Sequence, residues 1–251
     1  MKRIDLNCDM GEVPELIANG TQEALFNSVT SANIACGGHA GDEATMRTTI
    51  EQALRRGVAV GSHPGYADRA NFGRIELKLA PKEIEQSVYD QVRALAKVAA
   101  ACQAEVRHVK PHGALYNQAA KDRELAAAIA RGVGRWRKDV VLVGLAGSMM
   151  LDVFREEGFR VAAEAFADRR YEADGSLRSR KFDDALIRDP EEAGRQALRI
   201  VEKASLAACD ESQVRIQAQT LCIHGDTPGA AKIAAAVAAA LRAAGVELSA
   251  L

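Results

Sequence analysis

Short apolar runs alternate with amphipathic segments along most of the chain. The apolar runs have the length of strands and lie near residues 3–8, 29–35, 58–62, 106–110, 140–145, 160–166 and 219–223. Most segments between them carry apolar residues at spacings of three and four, which is typical of helices that bury one face. The pattern therefore predicts an α/β protein in which strands and helices alternate.

Three of the predicted helices have clear start signals. Asp42 is placed to cap a helix over 42–56, and Pro81 opens a helix over 81–102. Asp189 is followed by proline, which combines an N-cap residue with the residue favoured at the first helical position. These signals predict where the helices begin.

The last predicted helix and the longest loop lie in the C-terminal part of the chain. Thr227-Pro228 repeats the start signal for an alanine-rich helix that ends near Gly245. The segment 168–189 has neither a helix nor a strand pattern. A loop of that length inside a compact domain is typical of a functional or mobile segment.

Residue parity along three strands favours a closed barrel of the TIM type over the competing doubly wound open sheet. Side chains two residues apart share a face of a strand. The polar residues that share a face are Asp5, Asn7 and Asp9 on the first strand, His108, Lys110 and His112 on the fourth, and Cys222, His224 and Asp226 on the last. Polar side chains from the first, middle and last strands can converge only if the strands form a closed ring. We therefore predict one TIM-like (β/α) barrel domain over residues 1–251, with seven strands.

Composition narrows the classes of partner. The net charge is −1 and aromatic residues make up 4% of the chain, so no basic surface with interleaved aromatics indicates nucleic-acid binding. No apolar run approaches 18 residues and the start has no signal-peptide core, so we expect a cytoplasmic protein without a membrane partner. The five cysteines are odd in number and lack a CxxC pair, which indicates reduced thiols.

Four of the five histidines occupy equivalent positions. His39, His63, His112 and His224 each follow an apolar run and have a glycine one or two residues beyond, as Asp9 does. For a single histidine a structural role is the commoner explanation, but four at strand ends favour a shared site. Because the carboxyl ends of barrel strands form the active face, we expect these residues to line one pocket.

Lys110 is the most unusual residue of this face. An ammonium in an apolar strand must find an anion or lower its pKa. Asp9, Glu164 or Asp168 could supply that anion before a ligand arrives. Such an ammonium suits a role in holding a carboxylate, a phosphate or an oxyanion; the alternative is a strand-end lysine that reaches solvent.

Metal and nucleotide signals are weak. Imidazole and carboxylate ligands from separate strands can meet at a divalent metal, and Asp9, His39 and His63 are the alternative ligands for one. HxxxH and HExxH spacings are absent, so the main interpretation has no metal. The phosphate-loop patterns GxxxxGK[ST] and GxGxxG are absent too, so any nucleotide would have to be held by other means.

Eight blocks of sequence resemble the LamB/YcsF family of lactam-utilisation proteins. They are DLNCDMGE at 5–12, NIACGGHAGD at 33–42, GSHPGY at 61–66, FGR at 72–74, VKPHGALYN at 109–117, EAFADRRY at 164–171, DGSLRSR at 174–180 and CIHGDTPGA at 222–230. They span nearly the whole chain. Departures from the family pattern, Ile75 after FGR and the charged segment 181–184, concern loops. The resemblance implies a (β/α) barrel related to those of glycoside hydrolases and deacetylases.

The resemblance also implies an activity. It implies the A subunit of an ATP-dependent 5-oxoprolinase, a hydrolase that opens the lactam 5-oxo-L-proline to L-glutamate together with subunits B and C. An unstrained amide resists water, and phosphorylation of its oxygen would make the carbon electrophilic. The catalytic candidates are Asp9, His39 and His112 as general base or acid and Lys110 against phosphate or oxyanion. The substrate-binding candidates are Asn7, His63, Arg74, Arg169, His224 and Asp226.

Two other functions fit the same residues. One is a stand-alone metal-dependent deacetylase or amidohydrolase, because histidines and aspartates converge on a deacetylase-like barrel. The other is a lactam-binding component that leaves all chemistry to its partners. The two arginines, Arg74 and Arg169, could clamp a substrate carboxylate as planar forks, and ion pairs within the protein explain them nearly as well.

Overall fold

A closed ring of parallel strands forms the centre of the computed structural model, which describes residues 2–251. The strands are Arg3–Met10 (β1), Ser31–Ala35 (β2), Ala59–His63 (β3), Val106–Val109 (β4), Val141–Leu145 (β5), Arg160–Phe166 (β6), Ser205–Ala207 (β7), Gln213–Arg215 (β8), Thr220–Ile223 (β9) and Glu247–Leu248 (β10). Strands β1 to β6 pair in sequence order, and β9 pairs with both β6 and β1. This closure confirms the predicted seven-stranded TIM-like barrel and excludes the open sheet.

Helices follow most of the barrel strands and pack around them. They are Pro14–Ala18 (α1), Thr21–Leu25 (α2), Glu43–Arg56 (α3), Pro81–Ala101 (α4), Gly113–Ala119 (α5), Arg123–Gly134 (α6), Met149–Glu156 (α7), Pro190–Lys203 (α8) and Ala230–Ala243 (α9), with short 3₁₀ turns at Arg69–Asn71 and Asp183–Ala185. The predicted starts at Asp42, Pro81 and Asp189 are confirmed. Asp42 accepts a hydrogen bond of 2.8 Å from the backbone N–H of Thr45, as an N-cap residue should.

The predicted start of the last helix at Thr227-Pro228 is wrong. These residues form a turn instead, in which the N–H of Ala230 donates to the carbonyl of Thr227. Gly229 follows with a φ of 81°, a left-handed conformation that interrupts any helix entering from Pro228. α9 therefore begins at Ala230 without a side-chain cap.

The interior of the barrel is polar, because alternate residues of β1 point inward. Asp5, Asn7 and Asp9 are almost fully buried there, while the residues between them join the apolar layer under the helices. Asn33 of β2 and Thr220 of β9 hydrogen-bond to these inward side chains. The predicted parity of β1 is thus confirmed. Buried polar groups tied to one another in this way hold the strands in register.

The remaining segments cover one end of the barrel. The long loop after β6 is held by two isolated bridges, Arg169 with Leu186 and Tyr171 with Leu177. The antiparallel pair of β7 and β8 has no counterpart in the sequence prediction. The five cysteines are free, as expected. Among residues 2–251, no helix combines the length and the apolar character that a membrane crossing requires.

Candidate functional site

A cavity of about 1120 Å³ opens at the carboxyl ends of the barrel strands. Its deep wall includes Asp9, His63, Lys110, His112 and His224, which the strand-end pattern predicted to meet. His39 is the exception, since its ring lies behind His112 with the two ring centroids 3.6 Å apart. Its side chain is buried and does not line this cavity. The structure thus brings five of the predicted residues to one wall and places His39 in a second layer.

Lys110 is held between two carboxylates. Its Nζ lies 2.9 Å from Asp9 Oδ1, 2.9 Å from Glu164 Oε1 and 3.0 Å from Cys222 Sγ. Burial alone would lower the pKa of Lys110, but Asp9 and the other anionic neighbours raise it above its ordinary value. The ammonium is therefore charged at neutral pH. Asp9 and Glu164 supply the anion that a lysine in an apolar strand requires.

Asp9 is ionised as well, and a directed chain of hydrogen bonds ends on it. Asn33 donates from Nδ2 to Asp9 Oδ1 at 2.8 Å, and its Oδ1 accepts from His108 Nε2 at 2.8 Å. Burial raises the pKa of Asp9, yet His63 and Lys110 lower it well below the usual range. Asn7 lies beneath this layer and donates to Glu164 and Thr220, so its amide holds the barrel interior together.

His224 is oriented by a buried carboxylate. Asp168 accepts a hydrogen bond from the backbone N–H of His224 at 2.9 Å and another from its Nδ1 at 3.0 Å. Burial raises the pKa of Asp168 and His224 lowers it, with a net decrease. Because Nδ1 faces Asp168, Nε2 is the nitrogen of His224 that is left to face the cavity. Asp168, one of the anions predicted for Lys110, pairs with His224 instead.

The two predicted arginines line the cavity but already have protein partners. Arg74 Nη2 lies 2.5 Å from Asp226 Oδ2. Arg169 is buried and donates from Nη2 to the carbonyl of Arg178 at 2.6 Å, which fastens the long loop over the cavity. Burial lowers the pKa of Arg169 to about 10. Ion pairing therefore accounts for Arg74 and loop attachment for Arg169.

Two buried polar groups, one of which lines the cavity, make no hydrogen bond within residues 2–251. Within residues 2–251, neither the hydroxyl of Tyr116 nor Oε2 of Glu164 makes a hydrogen bond, although both atoms are buried. Tyr116 lines the cavity at the start of α5. The two groups are close to each other, since burial and the neighbouring Glu164 raise the pKa of Tyr116. Because only Tyr116 lines the cavity, its hydroxyl is the one that can contact a ligand. Tyr116 was not predicted from the sequence, although it lies four residues beyond His112 in the block VKPHGALYN.

A second layer behind the cavity wall joins three histidines to Glu12. Glu12 Oε1 lies 2.9 Å from His39 Nε2, 3.2 Å from His112 Nδ1 and 3.7 Å from His63 Nε2. Burial raises the pKa of Glu12, but the histidines lower it strongly, so it is a carboxylate. Burial lowers the pKa of His39 to about 4. Glu12 was not predicted from the sequence, where its only signal is its place just beyond β1 in the block DLNCDMGE.

Two sets of side chains have ligand atoms close enough to share a metal ion. The first is Glu12, His39, His63 and His112. The second is Asp9, Cys222 and His224, but the ammonium of Lys110 already lies against Asp9 and Cys222. Of the predicted alternative ligands, His39 and His63 fall in the first set and Asp9 in the second, although Asp9 Oδ1 lies 3.4 Å from His63 Nε2.

The chain is similar to proteins of known family along its whole length. It is 52% identical over 246 residues to the A subunit of 5-oxoprolinase from Chloroflexus aggregans, covering 98% of each chain. It is 49% identical over 247 residues to the A subunit of 5-oxoprolinase from Bordetella pertussis, again covering 98% of each chain. Both relatives match nearly end to end.

Solved structures agree on the fold. The lactam utilization protein of Thermus thermophilus superposes with a TM-score of 0.92 at 42% identity, over 99% of this chain and 100% of that one. A family 4 carbohydrate esterase of Streptomyces lividans has a TM-score of 0.53 at 11% identity, over 100% of this chain and 92% of that one, which shows a shared barrel fold alone. The LamB/YcsF family pattern matches residues 4–251, and the chain therefore belongs to the LamB/YcsF family.

Proposed function

We propose that this chain is the A subunit of a 5-oxoprolinase, which opens 5-oxo-L-proline to L-glutamate with ATP and subunits B and C. The identity of 52% to a relative of that name, over 98% of both chains, carries this assignment. The cavity over Lys110 supports a catalytic part for this chain, because it combines a fixed cation with histidines and the hydroxyl of Tyr116.

The reaction needs an anion site and proton transfers. A phosphoryl group from ATP goes to the lactam oxygen, and water then adds to the ring carbon. The ring C–N bond breaks and its nitrogen gains a proton, which gives γ-glutamyl phosphate. A second water then adds to the same carbon and phosphate leaves with the lactam oxygen, which gives glutamate, ADP and phosphate. Lys110 faces the negative charge that develops on the oxygen, and a preorganised donor of this kind typically contributes about a hundredfold or more to turnover.

His224 is the proton-transfer group that the hydrogen bonds favour over His112. His112 engages both ring nitrogens, with Nε2 at 2.9 Å from the carbonyl of Phe72 and Nδ1 at 3.0 Å from His63. His63 likewise places Nδ1 at 2.8 Å from the carbonyl of Lys110. His224 uses only Nδ1, toward Asp168, so its Nε2 can take a proton from water and return it to the ring nitrogen. Asp9 then serves to hold Lys110.

Reconstitution tests the assignment. Glutamate release from 5-oxo-L-proline and ATP is measured with this chain and subunits B and C, and again with each component left out. We expect release only from the complete mixture. Release that continues without this chain would contradict the assignment.

A purely lactam-binding role gives a different result from a catalytic one. If partners do all the chemistry, His224→Gln changes assembly or the KM for 5-oxo-L-proline and leaves turnover at saturating substrate unchanged. Under the catalytic proposal it lowers kcat by about a hundredfold or more. Gln118→Asn, a change at another residue that lines the cavity, is the matched control and should keep its kcat.

A further inference from the structure

We propose that Glu12, His39, His63 and His112 bind one divalent transition-metal ion, and that Zn²⁺ fits the donor set best. The four side chains come from different strand ends and converge behind the cavity wall. Their ligand atoms all lie within 4.8 Å of one another. All four residues are buried or nearly so.

The hydrogen bonds of two histidines fix where their lone pairs point. The carbonyl of Lys110 lies 2.8 Å from His63 Nδ1, so that nitrogen carries a proton and donates it. The carbonyl of Phe72 lies 2.9 Å from His112 Nε2, which donates in the same way. The remaining nitrogens, His63 Nε2 and His112 Nδ1, then face each other at 3.0 Å, so a proton or a cation must lie between them. Backbone carbonyls that hold the outer N–H of an imidazole are the usual support of metal-bound histidines.

Glu12 brings a negative oxygen to the same point. Its Oε1 lies 3.2 Å from His112 Nδ1, which already has its lone pair directed there. A proton on His112 Nδ1 can be shared by Glu12 Oε1 and His63 Nε2, and a bound cation would displace it. A cation at the centre satisfies all of these atoms together. His39 reaches the same point with Nε2, which lies 2.9 Å from Glu12 Oε1 and would exchange that hydrogen bond for the ion. Its Nδ1 has no protein partner within residues 2–251, so the proton can move to that nitrogen when Nε2 binds.

The spacing of the ligand atoms suits a small ion. Ligands about 2.1 Å from a tetrahedral Zn²⁺ lie about 3.4 Å from one another. Four of the six pairs measure 2.9, 3.0, 3.2 and 3.7 Å, close to that spacing, and the two pairs between His39 and the other histidines lie within 4.8 Å. The His39 ring is stacked parallel to that of His112, so it must rotate for its Nε2 lone pair to face the same ion. Three imidazoles and one carboxylate favour Zn²⁺ and its transition-metal neighbours over Mg²⁺ or Ca²⁺, which prefer oxygen ligands.

The competing set of Asp9, Cys222 and His224 is a poorer site for a cation. The Lys110 ammonium lies 2.9 Å from the Asp9 carboxylate and 3.0 Å from the Cys222 sulfur. A divalent ion placed there would lie within a few ångströms of that positive charge. In the first set, His63 and His112 also line the cavity, so an ion there would supply a Lewis acid directly behind its wall.

Metal binding is measured on the purified full chain without any assay of lactam cleavage. Metal content is determined by inductively coupled plasma mass spectrometry after expression with added zinc. The chelator-stripped protein is then titrated with ZnCl₂ by calorimetry and melted with and without ZnCl₂. The variants are His39→Gln and Glu12→Gln in the proposed set, with His224→Gln as the matched control from the competing set.

We expect about one zinc per chain and a higher Tm with ZnCl₂. His39→Gln and Glu12→Gln should each weaken zinc binding by about a hundredfold or more, and His224→Gln should keep wild-type affinity. A folded wild-type chain that binds zinc no more tightly than His39→Gln overturns the proposal. Loss of zinc binding in His224→Gln with retention in His39→Gln overturns it too, in favour of the competing set. Because glutamate release is not a readout, this test and that of the proposed function fail independently.

Discussion

Replacing Lys110 by methionine should lower the free energy of unfolding by about 3 to 5 kcal/mol. The Lys110 ammonium lies 2.9 Å from one carboxylate oxygen of Asp9 and 2.9 Å from one of Glu164, and all three residues are buried. At that distance, with an effective dielectric constant of about 20, each pair attracts by roughly 6 kcal/mol, most of which offsets the desolvation of the charges. The variant keeps two desolvated carboxylates and loses their cation.

A second change should restore most of that loss. Lys110, Asp9 and Glu164 together carry one net negative charge, the Lys110→Met variant carries two, and adding Glu164→Gln returns the balance to one. The glutamine can still accept the hydrogen bond that Asn7 Nδ2 makes to Glu164 Oε1 at 3.0 Å. The double variant should therefore unfold at a urea concentration close to that of the wild type.

Urea denaturation of the wild type, of each single variant and of the double variant tests this account. For a chain of this length a loss of 3 to 5 kcal/mol also lowers Tm by about 10 °C. Glu164→Gln alone is the matched control, since it leaves Lys110 paired with Asp9. A single Lys110→Met variant as stable as the wild type would show that the ammonium does not compensate these carboxylates. A double variant that is no more stable than Lys110→Met would show the same.

Three further predictions follow from buried groups, from backbone conformation and from the absence of a phosphate loop. Burial lowers the pKa of His108 to about 3, so below pH 6.5 the unfolded chain takes up a proton that the folded chain does not. The contribution of neutral His108 to the free energy of unfolding is therefore complete above pH 6.5 and falls by up to about 1.4 kcal/mol per pH unit toward pH 3. His108→Gln should flatten the profile of stability against pH in that window. Gly41→Ala should destabilise the protein by several kcal/mol more than Gly20→Ala, as measured in thermal melts. Both glycines have positive φ, but only a Cβ at residue 41 would lie 2.6 Å from the carbonyl oxygen of Ala35. Equal losses of stability in the two variants would refute this prediction. Calorimetry on the isolated chain should detect no micromolar ATP binding, and a Kd in that range would contradict the expectation that ATP requires the partner subunits.

Much of the fold could be predicted because strand periodicity and helix caps are local signals. The inward parity of Asp5, Asn7 and Asp9 follows from a period of two, and it correctly implied a closed ring. The short strands β7 and β8 were missed because three residues are too few to show alternation. The start of α9 was misplaced because Gly229 adopts a left-handed conformation that a preceding proline does not reveal.

The sequence predicted which residues form the candidate site better than it predicted how they are arranged. Strand ends brought His63, Lys110 and His112 to one wall, but nothing in the pattern placed His39 in a layer behind them. Glu12 lies in a turn, where periodicity carries no information. The directions of lone pairs depend on carbonyls such as that of Phe72, which is 40 residues from His112 in sequence. Contacts between residues so far apart in sequence depend on how the barrel closes, which local sequence patterns do not show.

The central claim is that the cavity over Lys110 carries out lactam opening within the complex. The most direct measurement is the rate of ATP-dependent glutamate release from 5-oxo-L-proline by complexes assembled with subunits B and C. One complex contains the wild-type chain and the other the Lys110→Met/Glu164→Gln double variant, whose charge balance is preserved. We predict that the double variant assembles normally and loses about a hundredfold or more in kcat. Glutamate release near the wild-type rate from the folded, assembled double variant would show that Lys110 only supports the barrel.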